Sequence, residues 1–131
     1  METPKPTLGL RHVALFVHKL EACEYFYSKL LGMGIDWRPD SDNVYLSTGY
    51  DNLALHRVKE SFQLTSPQRL DHIGFVMSEI DEVDQWYQFL LSNQVEMKTE
   101  PRTHRDGARS FYCYDPDHNT VQMIWLPGLK K

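Results

Sequence analysis

Leu10-Arg11-His12-Val13-Ala14-Leu15-Phe16-Val17 and, sixty positions further on, Leu70-Asp71-His72-Ile73-Gly74-Phe75-Val76-Met77 are one pattern written twice. The same offset pairs Leu20 with Ile80, Cys23 with Val83, Phe26 with Trp86, Tyr27 with Tyr87, Leu30 with Leu90 and Leu31 with Leu91, and it ends by matching Ile35 to Val95. Composition alone would not keep apolar residues in register over that distance, so the chain contains an internal repeat. Each copy opens with a period-two run, the mark of a strand. Val13, Leu15 and Val17 point one way and His12, Ala14 and Phe16 the other; Ile73, Phe75 and Met77 oppose His72, Gly74 and Val76. A helical stripe follows at 20, 23, 26, 27, 30 and 31, and again at 80, 83, 86, 87, 90 and 91. Gly32 and Gly34 offer a stop for the first helix and Asn93 a weaker one for the second.

The rest of each copy reads as short strands separated by turn residues. The first copy places them near 34–38, 43–47 and 52–58, and the second near 95–100, 108–114 and 120–126. Asp115-Pro116-Asp117-His118-Asn119 is a turn cluster. The expected architecture is α+β: two tandem βαβββ modules, about 8–58 and 69–126, forming a curved mixed sheet around a cavity. Lys59 to Gln68 would connect them within one domain spanning residues 1–131, because about 60 residues rarely stabilise an open sheet alone. Each helix should cover the uniformly apolar face of its sheet. The opposite face carries a histidine followed by a small residue (His12 and Ala14, His72 and Gly74) and leaves room for something other than core.

At 131 residues, 41% hydrophobic and with 3 Trp, 7 Tyr and 6 Phe, the chain has an ordinary globular composition. A net charge of −4 with scattered Lys and Arg carries no footprint for nucleic acid or an anionic membrane surface. Cys23 and Cys113 form no CxxC pair, and Cys23 belongs to the helix stripe as a buried, inert thiol. Met1 to Leu8 lacks the basic start and apolar run of a signal peptide, so a cytoplasmic protein is the expectation. Trp37, Trp86 and Trp125 read as core or interface aromatics.

The first strand with its histidine, the helix ending Leu30-Leu31-Gly32-Met33, the second copy's Leu70-Asp71-His72-Ile73-Gly74-Phe75, and the closing 106–112 and 115–123 segments resemble the vicinal oxygen chelate superfamily. That superfamily is the glyoxalase, bleomycin-resistance and extradiol dioxygenase group, and the resemblance spans residues 8–126. It implies a divalent-metal site with up to four ligands on the first and last strands of the two modules. Matched position by position, His12 and His72 fall on the first-strand ligands and Gln122 on the last-strand ligand of module two, where the family usually has Glu. The last-strand position of module one falls at Ala54. His56 lies two residues on, within reach of that place only if the strand bulges. The metal implied is Fe, Mn, Ni or Zn; the bleomycin-resistance branch needs none.

Each histidine alone is more often a cavity or core residue than a ligand; two at equivalent points of a repeat strengthen the case for ligation. Gln122 can ligate through its amide oxygen but brings no charge and cannot take up a proton, which argues against glyoxalase I and extradiol dioxygenase activity. Another base would then be required, with His104 and Tyr112 as candidates. Arg109, in the polar stretch 102–109, could bind an anionic or polyoxygenated substrate, although a structural ion pair is the more ordinary fate of such a residue. Asp115, Asp117 and His118 are turn formers. Two functions follow from the resemblance. The first is a metal-assisted lyase, isomerase or related enzyme acting on a small oxygenated substrate. The second is a metal-free protein that sequesters a small molecule. The resemblance also implies a homodimer, the modules pairing within one chain or across two.

Overall fold

The computed structural model describes residues 10–59 and 70–128. The expected connection beyond Lys59 and the N-terminal segment lie outside these residues. The chain divides into two compact units, and each repeats one plan. In the first, β1 (His12–Val17) is followed by α1 (Leu20–Tyr25), a π-helical turn over Phe26–Leu30, then β2 (Gly34–Asp40), β3 (Asn43–Ser47) and β4 (Asn52–Arg57). In the second come β5 (Ile73–Val76), α2 (Glu82–Ser92), β6 (Arg102–Thr103), β7 (Arg109–Tyr114) and β8 (Thr120–Trp125). The sheets have the orders β1-β4-β3-β2 and β5-β8-β7-β6. The first strand of each lies parallel to the last, and the remaining pairs are antiparallel. The expected α+β class therefore holds, as two open, mixed, four-stranded sheets with one helical segment each.

One face of each sheet is core. In unit one, Leu15, Val17, Val44, Leu46, Leu53 and Leu55 are buried together with Leu20, Cys23, Phe26 and Tyr27 of the helical segment. That segment widens at its end, where Met33 N–H bonds to Tyr27 O at 3.0 Å, and Gly32 closes it at φ +82°, a backbone that favours glycine. In unit two, Val83 and Leu90 of α2 are buried, and Tyr87 meets Phe111 of β7 edge-on.

Several expectations are corrected. Ile80 and Leu91 belong to the expected stripe, yet both are exposed: Ile80 lies ahead of α2, and Leu91 falls a residue off the line of buried Val83 and Leu90. Asn93 caps α2, but the left-handed residue that ends it is Gln94. No strand forms over 95–100. Met97 makes one isolated bridge to Cys113, and the amides of Lys98 and Thr99 both bond to Tyr112 O, so two residues face one and the pairing breaks. Trp37, read as a core or interface aromatic, is 59% exposed and so not core, stacked on Tyr45 at 5.2 Å. It sits on edge strand β2, which also tolerates Pro39 because an edge position needs no ladder donor there.

Candidate functional site

The face of unit two opposite α2 brings polar side chains together. Gly74, Gln122 and Tyr112 are direct partners across β5, β8 and β7, so the three share one face. Ser110 is the next residue of β7 on that face. Gln122 is buried and donates both amide hydrogens, to Ser110 Oγ at 3.1 Å and to Tyr112 OH at 3.0 Å. Its Oε1 takes no hydrogen bond among the described residues and lies above Gly74, where an added Cβ would sit 3.7 Å from it. Ser110 Oγ is also 2.8 Å from His104 Nε2. Gln122, Tyr112 and His104 border an open depression of about 640 Å³ that Arg102, Arg105 and Asp106 also line.

His72 precedes β5 at the same side. Its Nδ1 is 2.7 Å from Asp71 Oδ2, and its ring meets Tyr112 edge-on at 5.3 Å. A carboxylate only accepts, so Nδ1 carries a proton, and Nε2 is the nitrogen that offers a lone pair when the ring ligates. The hydrogen bond from His72 holds the Asp71 carboxyl below its usual range. A carboxylate behind the remote nitrogen is the arrangement that orients metal-ligating histidines. Among the described residues no three His, Cys, Asp or Glu side chains converge as a metal cluster. The donors that unit two does supply are one imidazole nitrogen and one amide oxygen, both suited to a divalent transition metal.

The open face of unit one carries His12, whose Nδ1 is 2.8 Å from Asn52 Oδ1, its direct partner on β4. The asparagine oxygen accepts, so here too Nε2 is left as the lone pair. Ala54 pairs with Ala14 as Gln122 pairs with Gly74, and it brings no donor atom. β1 and β4 stay in register throughout, so His56 remains opposite Phe16, two residues past Ala54. Four positions of strand separate it from His12, roughly 13 Å. His56 instead bonds through Nδ1 to Asn43 Oδ1 at 2.6 Å and lies against Tyr45 and Phe16. Asp40 accepts from Asn43 Nδ2 at 2.8 Å, completing a carboxylate–amide–imidazole chain.

Arg109 points to the other side of its sheet. Its Nε and Nη2 grip the two carboxylate oxygens of Asp84 on α2 at 2.7 Å each, and Nη1 donates to Thr103 Oγ1 at 3.0 Å. It shares the parity of Phe111 and Cys113, which face α2, and the alternation in the sequence already carried that signal. Asp115 accepts from the amides of Asp117 and Asn119 and so builds its turn. Both cysteines are buried, and burial pushes the Cys113 thiol up to about 12, which removes it as a nucleophile. Three contributors escaped the sequence reading: Ser110, Asp71 and Asn52. Ser110 had a signal, two residues before Tyr112 in a strand. The other two act only as hydrogen-bond partners of histidines, which periodicity does not reveal.

No helix among the described residues is long and apolar enough to cross a membrane. Comparison with known proteins agrees with the geometry. Metallothiol transferase FosB of Staphylococcus epidermidis is 29% identical over 116 residues, covering 88% of this chain and 80% of that protein. The crystal structure of lactoylglutathione lyase from Agrobacterium tumefaciens superposes with a TM-score of 0.78 at 22% identity, covering 95% of this chain and 100% of that one. An integron cassette protein from the mobile metagenome of the Halifax Harbour sewage outfall gives a TM-score of 0.75 at 25% identity, covering 90% and 98%. The model of the Glyoxalase/Bleomycin resistance protein/Dioxygenase superfamily matches residues 9–123. With that match over most of its length and the two βαβββ units it folds into, the chain belongs to this superfamily.

Proposed function

We propose that this protein is a divalent-metal-assisted enzyme of transferase or lyase type, acting on a small oxygenated substrate. His72 and Gln122 of unit two supply protein donors to the cation, and His12 presents the equivalent imidazole on unit one. The observation that carries the reading is the pairing on one sheet face of a carboxylate-backed histidine with an amide whose oxygen is left free. The likeness to a metallothiol transferase supports group transfer over redox chemistry.

A ligating imidazole and an amide oxygen bring no charge, so the cation's charge is compensated by the substrate. An anionic or vicinal-oxygen ligand fits that requirement, and Arg102 and Arg105, which outnumber Asp106 around the depression, favour negative charge. When bound, Fe, Mn, Ni or Zn supplies Lewis-acid polarisation of substrate oxygens. Gln122 cannot exchange a proton, so proton transfer falls to Tyr112, whose hydroxyl stands next to Gln122 on the same face, with His104 behind Ser110. Arg109 is committed to Asp84 and is left out of substrate binding. The reading takes the protein as a cytoplasmic homodimer.

The test is elemental analysis of untagged protein loaded separately with manganese, iron, nickel and zinc, then dialysed. The proposal expects near-stoichiometric retention of one metal, lost in His72→Ala and Gln122→Ala. Equal metal content in these variants and the parent would overturn it. One observation favours a second reading, a metal-free binder of aromatic compounds. Exposed Trp37 stacks on half-buried Tyr45 on the open face of unit one, flanked by His56. Absence of retained metal with saturable quenching of Trp37 fluorescence by a planar aromatic would favour it.

A further inference from the structure

We infer that Ser110, with His104 behind it, is a positioning residue that keeps the Gln122 amide oxygen, rather than its nitrogen, turned toward the metal. The inference rests on Gln122 being a metal donor, as proposed above. An amide side chain has two nearly isosteric ends, and only the oxygen can ligate a cation. Something must therefore decide which end faces outward.

The hydrogen bonds make that decision. Ser110 is 1% exposed, and its hydroxyl has a single hydrogen. Its Oγ touches two polar groups, Gln122 Nε2 at 3.1 Å and His104 Nε2 at 2.8 Å. With Gln122 donating to Oγ, the hydroxyl hydrogen is available to His104, whose Nε2 accepts it in the Nδ1-protonated tautomer. Tyr112 OH receives the second Gln122 hydrogen at 3.0 Å, so both amide hydrogens are spent on the strand side. Oε1 is thereby left over Gly74, where the lack of a Cβ keeps the approach open.

Without an acceptor at 104, the buried Ser110 hydrogen has one remaining partner, the Gln122 oxygen. Accepting it would turn the amide around and present NH₂ to the cation. Ser110 and His104 touch neither metal nor substrate in this scheme; they act through Gln122. No fully buried side-chain polar atom among the described residues lacks a partner, so the unbonded Gln122 Oε1 is open to solvent.

The experiment is a manganese titration of the full-length protein by calorimetry, run as a double-mutant cycle. Ser110→Ala should weaken manganese binding about tenfold, the low end for groups supporting a metal ligand. The same change in a Gln122→Ala background should have no further effect, because its route to the metal is gone. Ser110→Thr, which retains a hydroxyl, should restore binding, and His104→Phe should weaken it while His104→Gln does not. A merely structural role would lower affinity equally in both backgrounds, and that result would overturn the inference. So would Gln122→Ala weakening binding while Ser110→Ala is silent, which leaves the metal reading intact. Gln122→Ala without any effect would overturn both. In the metal-free protein, the Gln122 side-chain amide hydrogens should exchange slowly by NMR and faster in Ser110→Ala.

Discussion

Asp115→Ala would remove the anchor of the turn between β7 and β8, the strands that set Tyr112 opposite Gln122. The Asp115 side chain is buried and accepts from the amide of Asp117 at 2.9 Å, from the amide of Asn119 at 2.8 Å and from Asn119 Nδ2 at 2.8 Å. The half-buried Asn119 side chain can find water, so its bond counts for little. The two backbone amides cannot leave the turn, since Asp115 N–H still bonds to Asn119 O and His118 N–H to Asp115 O. At about 1.5 kcal/mol for each bond to a charged acceptor, alanine should cost about 3 kcal/mol. For a chain of 131 residues unfolding as one transition, that corresponds to a fall in Tm of about 10 °C. Asp115→Asn keeps an acceptor for the backbone and should cost about 1 kcal/mol. The assay is urea unfolding followed by tryptophan fluorescence, with calorimetry to test whether the transition is single. A loss under about 1 kcal/mol for alanine, or equal losses for alanine and asparagine, would refute the account.

Other outcomes follow from the same geometry. Asp71→Asn should weaken manganese binding only about five- to tenfold, at or below the usual range for such supporting groups, because the Asp71 side chain is 91% exposed and its field is screened. A calorimetric titration in which Asp71→Asn matched His72→Ala would show that the carboxylate does more than orient the ring. Gln122→Glu should tighten manganese about tenfold, equivalent to about 1.4 kcal/mol, since Ser110 and Tyr112 hydroxyls can reverse and donate to a carboxylate. Unchanged affinity would count against position 122 as a ligand. Arg109 holds the Asp84 carboxyl below its usual range, so the pair stabilises the fold above the unfolded-state value of about 4 and loses that contribution as pH falls through the lower folded value. Both partners are partly exposed, so its share is about 0.5 kcal/mol. Denaturation profiles of Asp84→Asn and the parent should converge at acid pH; a constant gap down to pH 2 would contradict the linkage.

Much of this protein is local in origin and could be read without coordinates. Alternation along β1 and β5, the three- and four-residue steps of the helices and the sixty-residue repeat depend on near neighbours in the chain, and they placed seven of the eight strands within a few residues. The parity of Ser110 and Tyr112 against Arg109 was legible in the same way. What the sequence could not supply is which partners meet across strands. Strand 95–100 dissolved because two amides compete for the Tyr112 carbonyl, a fact of registry between distant segments. Trp37 lies outside the core because β2 is an edge strand, which sheet order alone decides. The Gln122 amide is oriented by hydroxyls on β7 and a histidine on the loop before it, and His72 by the carboxylate beside it. Hydrogen bonds are short-ranged and directional, so their pattern appears only when folding has brought donor and acceptor within about 3 Å.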